Sequence, residues 1–152
     1  MLEIKETELL RGLVMRREVT IPEIRSTAAE LTSLVEADAA RHGLQPVGPW
    51  VFIAHGLPRD SKTRFQLTLL RPVPAVSYGG ELELVELEPV VVASATHQGP
   101  MRSLFTQGYA PLVRDIELSR HVFSGESREI YHQWAGQGAR YNRIEIQFVL
   151  AR

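Results

Sequence analysis

One carboxylate stands out in the last strand-like run of the chain, because apolar residues flank it on both sides. Glu145 lies between Ile144 and Ile146, and the corresponding position of a similar mid-chain run is Gln66. A carboxylate that is shielded from water is costly unless a partner compensates its charge. A lipophilic cation could supply that charge, and aromatic faces would add a cation–π attraction of about 0.5–2 kcal/mol. This pattern indicates a site for a positively charged or hydrogen-bonding apolar guest.

Aromatic side chains in the second half of the chain could line such a site. Tyr131 belongs to the preceding predicted strand, and Trp134 follows in a glycine-rich hairpin, where a ring could cover a pocket. Each ring could equally pack in a core, and Glu145 could be a strand glutamate on a solvated face. The candidate ligand-binding residues are Glu145, Tyr131, Trp134, Tyr109, Phe105, Tyr141, Gln66 and Trp50.

Alternating apolar and polar residues, together with short apolar runs, predict strands in both halves of the chain. The predicted strands cover residues 2–5, 9–15, 50–55, 65–70, 81–87, 89–97, 128–132 and 144–150. Each half therefore has the order strand, strand, helix, strand, strand.

A helix is predicted between the second and third strands of each half. Thr20 and Glu23 have the spacing of a capping box at the start of the first helix, and Gly43 suits a left-handed stop. The second helix begins after residues 99–100. Pro111 predicts a kink in it, or a short turn before it, because proline removes a backbone donor and clashes with the preceding turn.

The repetition of this order predicts a duplication within one domain. Repeat one covers about residues 1–73, repeat two covers about 80–152, and the connection is too short and apolar for a flexible tether. Two copies are too few for a solenoid. We therefore predict a single domain over residues 1–152, which is an ordinary size for one.

The composition of the chain argues against several classes of function. Its 17 Lys and Arg and 18 Asp and Glu residues give a net charge of −1, which provides no basic footprint for nucleic acid. The chain has no cysteine, which excludes disulfides and thiol nucleophiles, and its five histidines have no metal-ligand spacing. No apolar run reaches the roughly 18 residues of a membrane span. We expect a cytoplasmic protein without membrane association, metal or cofactor.

Several motifs in a particular order resemble a known family. His97-Gln98-Gly99-Pro100, a helix, Arg128-Glu129-Ile130-Tyr131 and a closing Ile144-Glu145-Ile146-Gln147 are similar to the GyrI-like small-molecule-binding domain. This domain is also called the AraC-type bacterial effector-binding domain, within the SOUL-like superfamily. The resemblance covers essentially the whole chain. It implies an α+β fold, with a duplicated β-α-β-β repeat and a curved antiparallel sheet on which two main helices pack.

The resemblance also implies a groove that takes hydrophobic, often cationic, aromatic compounds. In multidrug-sensing members an acidic residue on the last strand contacts the cation, and aromatic side chains stack on it. Glu145 matches the acidic position, and Tyr131 matches the tyrosine of the preceding strand. Some members are fused to a DNA-binding domain. No helix-turn-helix fits before Leu2, so we expect no direct contact with nucleic acid.

These observations predict a stand-alone module that binds small hydrophobic, cationic or aromatic compounds, for multidrug-type sensing or sequestration. Such a module has no catalytic residues. One alternative is a hydrolase of strained electrophilic toxins, in which Glu145 is a general base and Tyr131 its partner. Another is a protein-interaction module, such as a topoisomerase modulator or the partner of a transcription regulator. An exposed apolar patch would favour that last reading.

Overall fold

The computed structural model of the chain describes residues 2–151, in which two compact units are distinguished. Unit 1 consists of Met1–Glu8 and Pro89–Arg152, and unit 2 consists of Leu9–Glu88. Among the helices that the structure describes, none combines the length and apolar character that crossing a bilayer requires.

Both units are built from antiparallel strands and helical segments, so the predicted α+β class is confirmed. The strands are β1 (Glu3–Glu6), β2 (Leu10–Val19), β3 (Val51–His55), β4 (Phe65–Pro72), β5 (Glu83–Leu87), β6 (Val91–Gln98), β7 (Phe123–Gln133) and β8 (Arg143–Leu150). The α-helices are α1 (Ile24–Arg41) and α2 (Ala110–Glu117).

Unit 2 packs its sheet against one face of α1. Its strands are antiparallel in the order β3-β4-β2-β5. Leu31 and Val35, four residues apart on one face of α1, are fully buried. Leu31 packs in one cluster with Phe65 and Leu69 of β4. Because successive side chains of a strand point to opposite faces, Gln66 lies on the face away from α1.

Unit 1 has the strand order β1-β6-β8-β7, with antiparallel pairing throughout. Helical residues between β6 and β7 cover one face of this sheet. Tyr109 approaches Phe148 of β8, with 6.0 Å between ring centroids. A Cβ atom added to Gly108 would lie only 2.8 Å from Cδ1 of Ile146. The side chains of Ile146 and Phe148 therefore mark the helix-covered face of β8.

The two sequence repeats exchange their first strands. β1, from the first repeat, pairs with β6, and Ile4 lies opposite Ala93. β5, from the second repeat, pairs with β2, and Leu10 lies opposite Leu87. The compact units therefore have different bounds from the repeats, because each unit borrows one strand from the other half of the chain. The single-domain interpretation stays a prediction.

The helix boundaries follow the local signals. The Thr20 backbone N–H donates to the Glu23 carboxylate at 2.8 Å, and Gly43 adopts the left-handed conformation with φ 68°. The interruption predicted from Pro111 is also confirmed. A π-helical segment, Leu104–Tyr109, precedes α2, and Pro111 lies in the first turn of α2, where its missing N–H is harmless.

Candidate ligand-binding site

Two neighbouring strands of unit 1 carry buried or partly buried carboxylates on opposite faces. Glu129 of β7 lies opposite Ile146, and Glu145 of β8 lies opposite Ile130. Residues paired across an antiparallel ladder point to the same face, and successive residues alternate. Because Ile146 lies under the helical segment, Glu129 is on the helix-covered face and Glu145 is on the other.

Two tyrosine hydroxyls bind the Glu129 carboxylate. The Tyr109 hydroxyl, at the end of the π-helical segment, donates to Oε2, and the Tyr131 hydroxyl donates to Oε1 at 2.7 Å. Burial raises the pKa of Glu129 above its ordinary value, and the two hydrogen bonds oppose that change only in part. Among the described residues 2–151, no ion pair involves Glu129.

The two phenols remain protonated donors. Burial, together with the adjacent Glu129 carboxylate, raises the pKa of Tyr109 and of Tyr131 well above the ordinary value for tyrosine. Only 6% of the Tyr109 surface is exposed. Glu129 is therefore hydrogen-bonded by groups that stabilise its negative charge without neutralising it.

An aromatic ring that reaches solvent accompanies each of these tyrosines. Phe105 stacks on Tyr109 with 5.2 Å between ring centroids, and Trp134 meets Tyr131 edge-on at 5.5 Å. About half of each outer residue is exposed, 52% for Phe105 and 45% for Trp134. Glu129, the two tyrosines and these two outer rings form what we call the Glu129 site.

Glu145 has a different environment, since its carboxylate is fully engaged by side chains of unit 1. Lys5 Nζ lies 2.7 Å from Oε2, which also accepts hydrogen bonds from Ser94 at 2.7 Å and Gln147 at 2.8 Å. His132 Nε2 lies 2.8 Å from Oε1. Burial alone would raise the pKa of Glu145. The Lys5, Gln147, His132 and Ser94 contacts outweigh burial and lower that pKa to about 2.

The predicted partnership of Glu145 with Tyr131 is therefore wrong. The Tyr131 hydroxyl donates to Glu129, on the other face of the sheet from Glu145. The error is one of strand register, because a shift by one residue moves a side chain to the opposite face. The carboxylate of Glu145 is also compensated within the chain rather than left for a guest. A direct contact of Glu145 with a ligand stays a prediction.

The structure brings four of the other predicted residues together within unit 1. Tyr109 and Tyr131 donate to Glu129, and Phe105 and Trp134 pack on those two tyrosines. Tyr141 is 65% exposed. Trp50 and Gln66 belong to unit 2, where the Trp50 indole donates to Glu36 at 3.2 Å and Gln66 is exposed.

Glu129 is the residue that sequence reasoning missed, although it lies within the motif of residues 128–131. The available signal was its spacing from Tyr131, since residues two apart on a strand share a face. Tyr109 could then have been recognised as the helical partner of that face. Within residues 2–151, no group of three His, Cys, Asp or Glu side chains is arranged to hold a metal ion.

Among the comparisons with known proteins, only the comparison with solved structures gives matches. No protein-family model matches the chain, and no curated protein matches it. The chain is similar to the EcmrR C-terminal domain, with a TM-score of 0.78 and 18% identity over 100% of this chain and 98% of that one. Against the longer chain of an EcmrR–DNA complex, with a TM-score of 0.79 and 18% identity, it covers 99% of its own length and 57% of the other.

Two further similar structures have names that mention a ligand or an activity. SAV2435 bound to tetraphenylphosphonium matches with a TM-score of 0.67 and 10% identity, covering 99% of this chain and 94% of that one. A hydrolase encoded by lin2189 from Listeria innocua matches with a TM-score of 0.65 and 12% identity, covering 99% and 91%. The chain thus shares the fold of these proteins, in agreement with the α+β architecture predicted from its motifs.

Proposed function

We propose that the chain binds small lipophilic cations at the Glu129 site. The observation that carries this proposal is a carboxylate held between two neutral phenols, Tyr109 and Tyr131, with partly exposed rings beyond them. A charge shielded from water is costly without a counter-charge. A cation with an apolar surface would compensate the carboxylate and also contact the rings by cation–π attraction.

The binding of tetraphenylphosphonium by a protein of the same fold supports this ligand class. Such an ion spreads one positive charge over an aromatic surface, so it needs a carboxylate nearby and apolar walls rather than a set of hydrogen-bond donors. A site of this composition discriminates little between ligands of different shape. The proposal therefore extends to multidrug-type sensing or sequestration, in which several unrelated lipophilic cations compete for one site.

A titration with tetraphenylphosphonium, followed by tryptophan fluorescence and by calorimetry, tests the proposal. Glu129→Gln keeps the shape of the side chain but removes its charge. We expect this variant to bind about 10- to 100-fold more weakly, which corresponds to about 1.4–2.8 kcal/mol. The matched control is Glu86→Gln, since Glu86 is an exposed strand glutamate of unit 2. Equal affinity in wild type and Glu129→Gln would refute the proposal.

Two further measurements distinguish the effect of the ligand's charge on affinity from the effect of its apolar surface. Tetraphenylborate has nearly the same shape as tetraphenylphosphonium but carries the opposite charge, so we expect it to bind far more weakly to the wild-type protein. Because the pKa of Glu129 is raised, a protonated fraction must lose its proton when a cation binds. The affinity for tetraphenylphosphonium should therefore rise with pH through the titration of Glu129.

A second candidate function is hydrolysis of small electrophilic compounds, which the name of the lin2189 neighbour favours. The carboxyl group to test is then Glu129, because its raised pKa makes it a stronger base than an ordinary glutamate. Glu145, with a pKa of about 2, would be a weak base. Mass spectrometry on a panel of strained electrophiles would detect turnover, which Glu129→Gln should abolish.

A further inference from the structure

We propose that the ion-pair network around Glu145 couples ligand binding at the Glu129 site to the docking of the N-terminal strand β1. The inference rests on the proposed function, because it needs a cation at Glu129. It assigns a role to the second carboxylate, which faces away from that site. The coupling network is defined as Lys5, Glu145 and His132.

Consecutive residues of β7 connect the ligand site with this network. Tyr131 donates to Glu129 on the helix-covered face, while His132 contacts Glu145 on the opposite face. The β7–β8 register is irregular between Tyr131 and Gln133. Irregularities of this kind re-aim side chains and recur beside functional sites. A displacement of the Tyr131 backbone must therefore also move the imidazole that binds Glu145.

The other end of the network is a short strand with few attachments. β1 has only four residues, from Glu3 to Glu6, and among the described strands of unit 1 it pairs with β6 alone. Lys5 reaches past β6 to Glu145 of β8, where Nζ lies 2.7 Å from Oε2. This contact ties β1 to a strand with which it has no backbone pairing. The Glu145 side chain is 8% exposed, so solvent weakens the pair less than it would on the surface.

The coupling follows from competition for the Glu129 carboxylate. A bound cation competes with the Tyr131 hydroxyl for Oε1, and the aromatic bulk of the ligand displaces Trp134, which packs on the same phenol. Both changes move the end of β7. The His132–Glu145 contact is then weakened, and the Glu145 carboxylate is held less firmly in the orientation that binds Lys5. Reciprocity requires that loosening β1 changes ligand affinity by the same factor.

Hydrogen exchange of the β1 amides, measured by mass spectrometry on the full chain, tests the coupling. We expect saturating tetraphenylphosphonium to speed exchange in β1 about fivefold or more, within the usual range of coupling between sites. In Glu145→Gln, exchange in β1 should be fast with and without the ligand. Glu3→Gln is the matched control on the same strand, because Glu3 lies 3.8 Å from Lys5 and is exposed. It should respond as the wild type does.

The outcomes separate the inference from the function on which it rests. If a parallel titration shows no binding of tetraphenylphosphonium, both the proposed function and the coupling are refuted. If the cation binds but β1 exchange stays unchanged, the coupling alone is refuted. Should Glu145→Gln fail to fold, Lys5→Met breaks the same ion pair from its more exposed partner. A ligand response that survives in folded Lys5→Met would equally overturn the coupling.

Discussion

Glu129 and Glu145 lie on adjacent strands of the same sheet, yet their surroundings differ in charge. Glu145 has a lysine, a histidine, a serine and a glutamine within hydrogen-bonding distance. Glu129 is bound by Tyr109 and Tyr131, neither of which carries a positive charge. The comparison teaches that burial alone does not make a carboxylate a binding group. The charge of its partners decides whether it still needs a counter-ion.

The opposite pKa changes of the two groups express this difference. Hydrogen bonds and the Lys5 charge overcome burial at Glu145, whose pKa falls to about 2, while burial prevails at Glu129, whose pKa rises. The first group is therefore ionised and satisfied within the folded chain. The second is held in an environment that favours either a proton or an added cation. We therefore expect an exogenous cation to gain more free energy in the second environment than in the first.

The largest expected effect is on the free energy of unfolding. Glu145→Gln removes the counter-charge of Lys5 and disturbs the hydrogen bonds of one buried amide donor and one buried hydroxyl donor. We therefore expect the free energy of unfolding to fall by about 3 kcal/mol. Glu129→Gln removes a charge that burial disfavours, and we expect a change within about 1 kcal/mol. Urea unfolding of both variants measures the contrast. Equal losses in the two variants would contradict the distinction between the sites.

A smaller effect is expected in the dependence of stability on pH. The pKa of Glu145 falls from its ordinary 4.5 to about 2 on folding. The ionised Glu145 carboxylate therefore stabilises the folded protein above pH 4.5, and this stabilisation is lost as pH falls towards 2. Because solvent reaches part of the network around Glu145, we expect the stabilisation to be about 2 kcal/mol. The contribution of Glu129 depends on pH in the opposite direction, because its raised pKa makes stability fall as pH rises above 4.5.

Unfolding curves of the two glutamine variants between pH 2 and pH 8 separate these contributions. Glu145→Gln should show a smaller rise in stability between pH 2 and 4.5 than the wild type. Glu129→Gln should lose the decline at higher pH and keep the acid-side rise. An unchanged acid-side slope in Glu145→Gln would show that another carboxylate is responsible for it.

The smallest expected effect concerns the π-helical segment that positions Tyr109. A Cβ atom at Gly108 would lie 2.8 Å from Cδ1 of Ile146 and 3.2 Å from Cβ of His97. We expect Gly108→Ala to cost about 1.5 kcal/mol through overpacking. It should also weaken tetraphenylphosphonium binding, because Tyr109 would shift from Glu129. Ile146→Val removes the clashing methyl group and should restore part of both losses in a double-mutant cycle.

Local sequence signals were sufficient for most elements of this protein. The capping box of Thr20 and Glu23, the left-handed Gly43 and the interruption before Pro111 depend on neighbouring residues, and the structure contains all three. The strand pattern of the two halves depends on alternation within short runs, which is equally local. The order of the motifs likewise predicted the fold class.

The tertiary structure decided which carboxylate lies beneath the aromatic residues. Alternation along β8 shows that Glu145 and its neighbour Ile146 face opposite ways, but not which of them meets the helical segment. That choice depends on the β7–β8 register and on the packing of Gly108 against Ile146. The exchange of β1 and β5 between the repeats was also outside the reach of local patterns, because strand pairing joins residues that are distant in the chain. Lys5 and Glu145, 140 positions apart in the sequence (145 − 5), meet only once that pairing has formed.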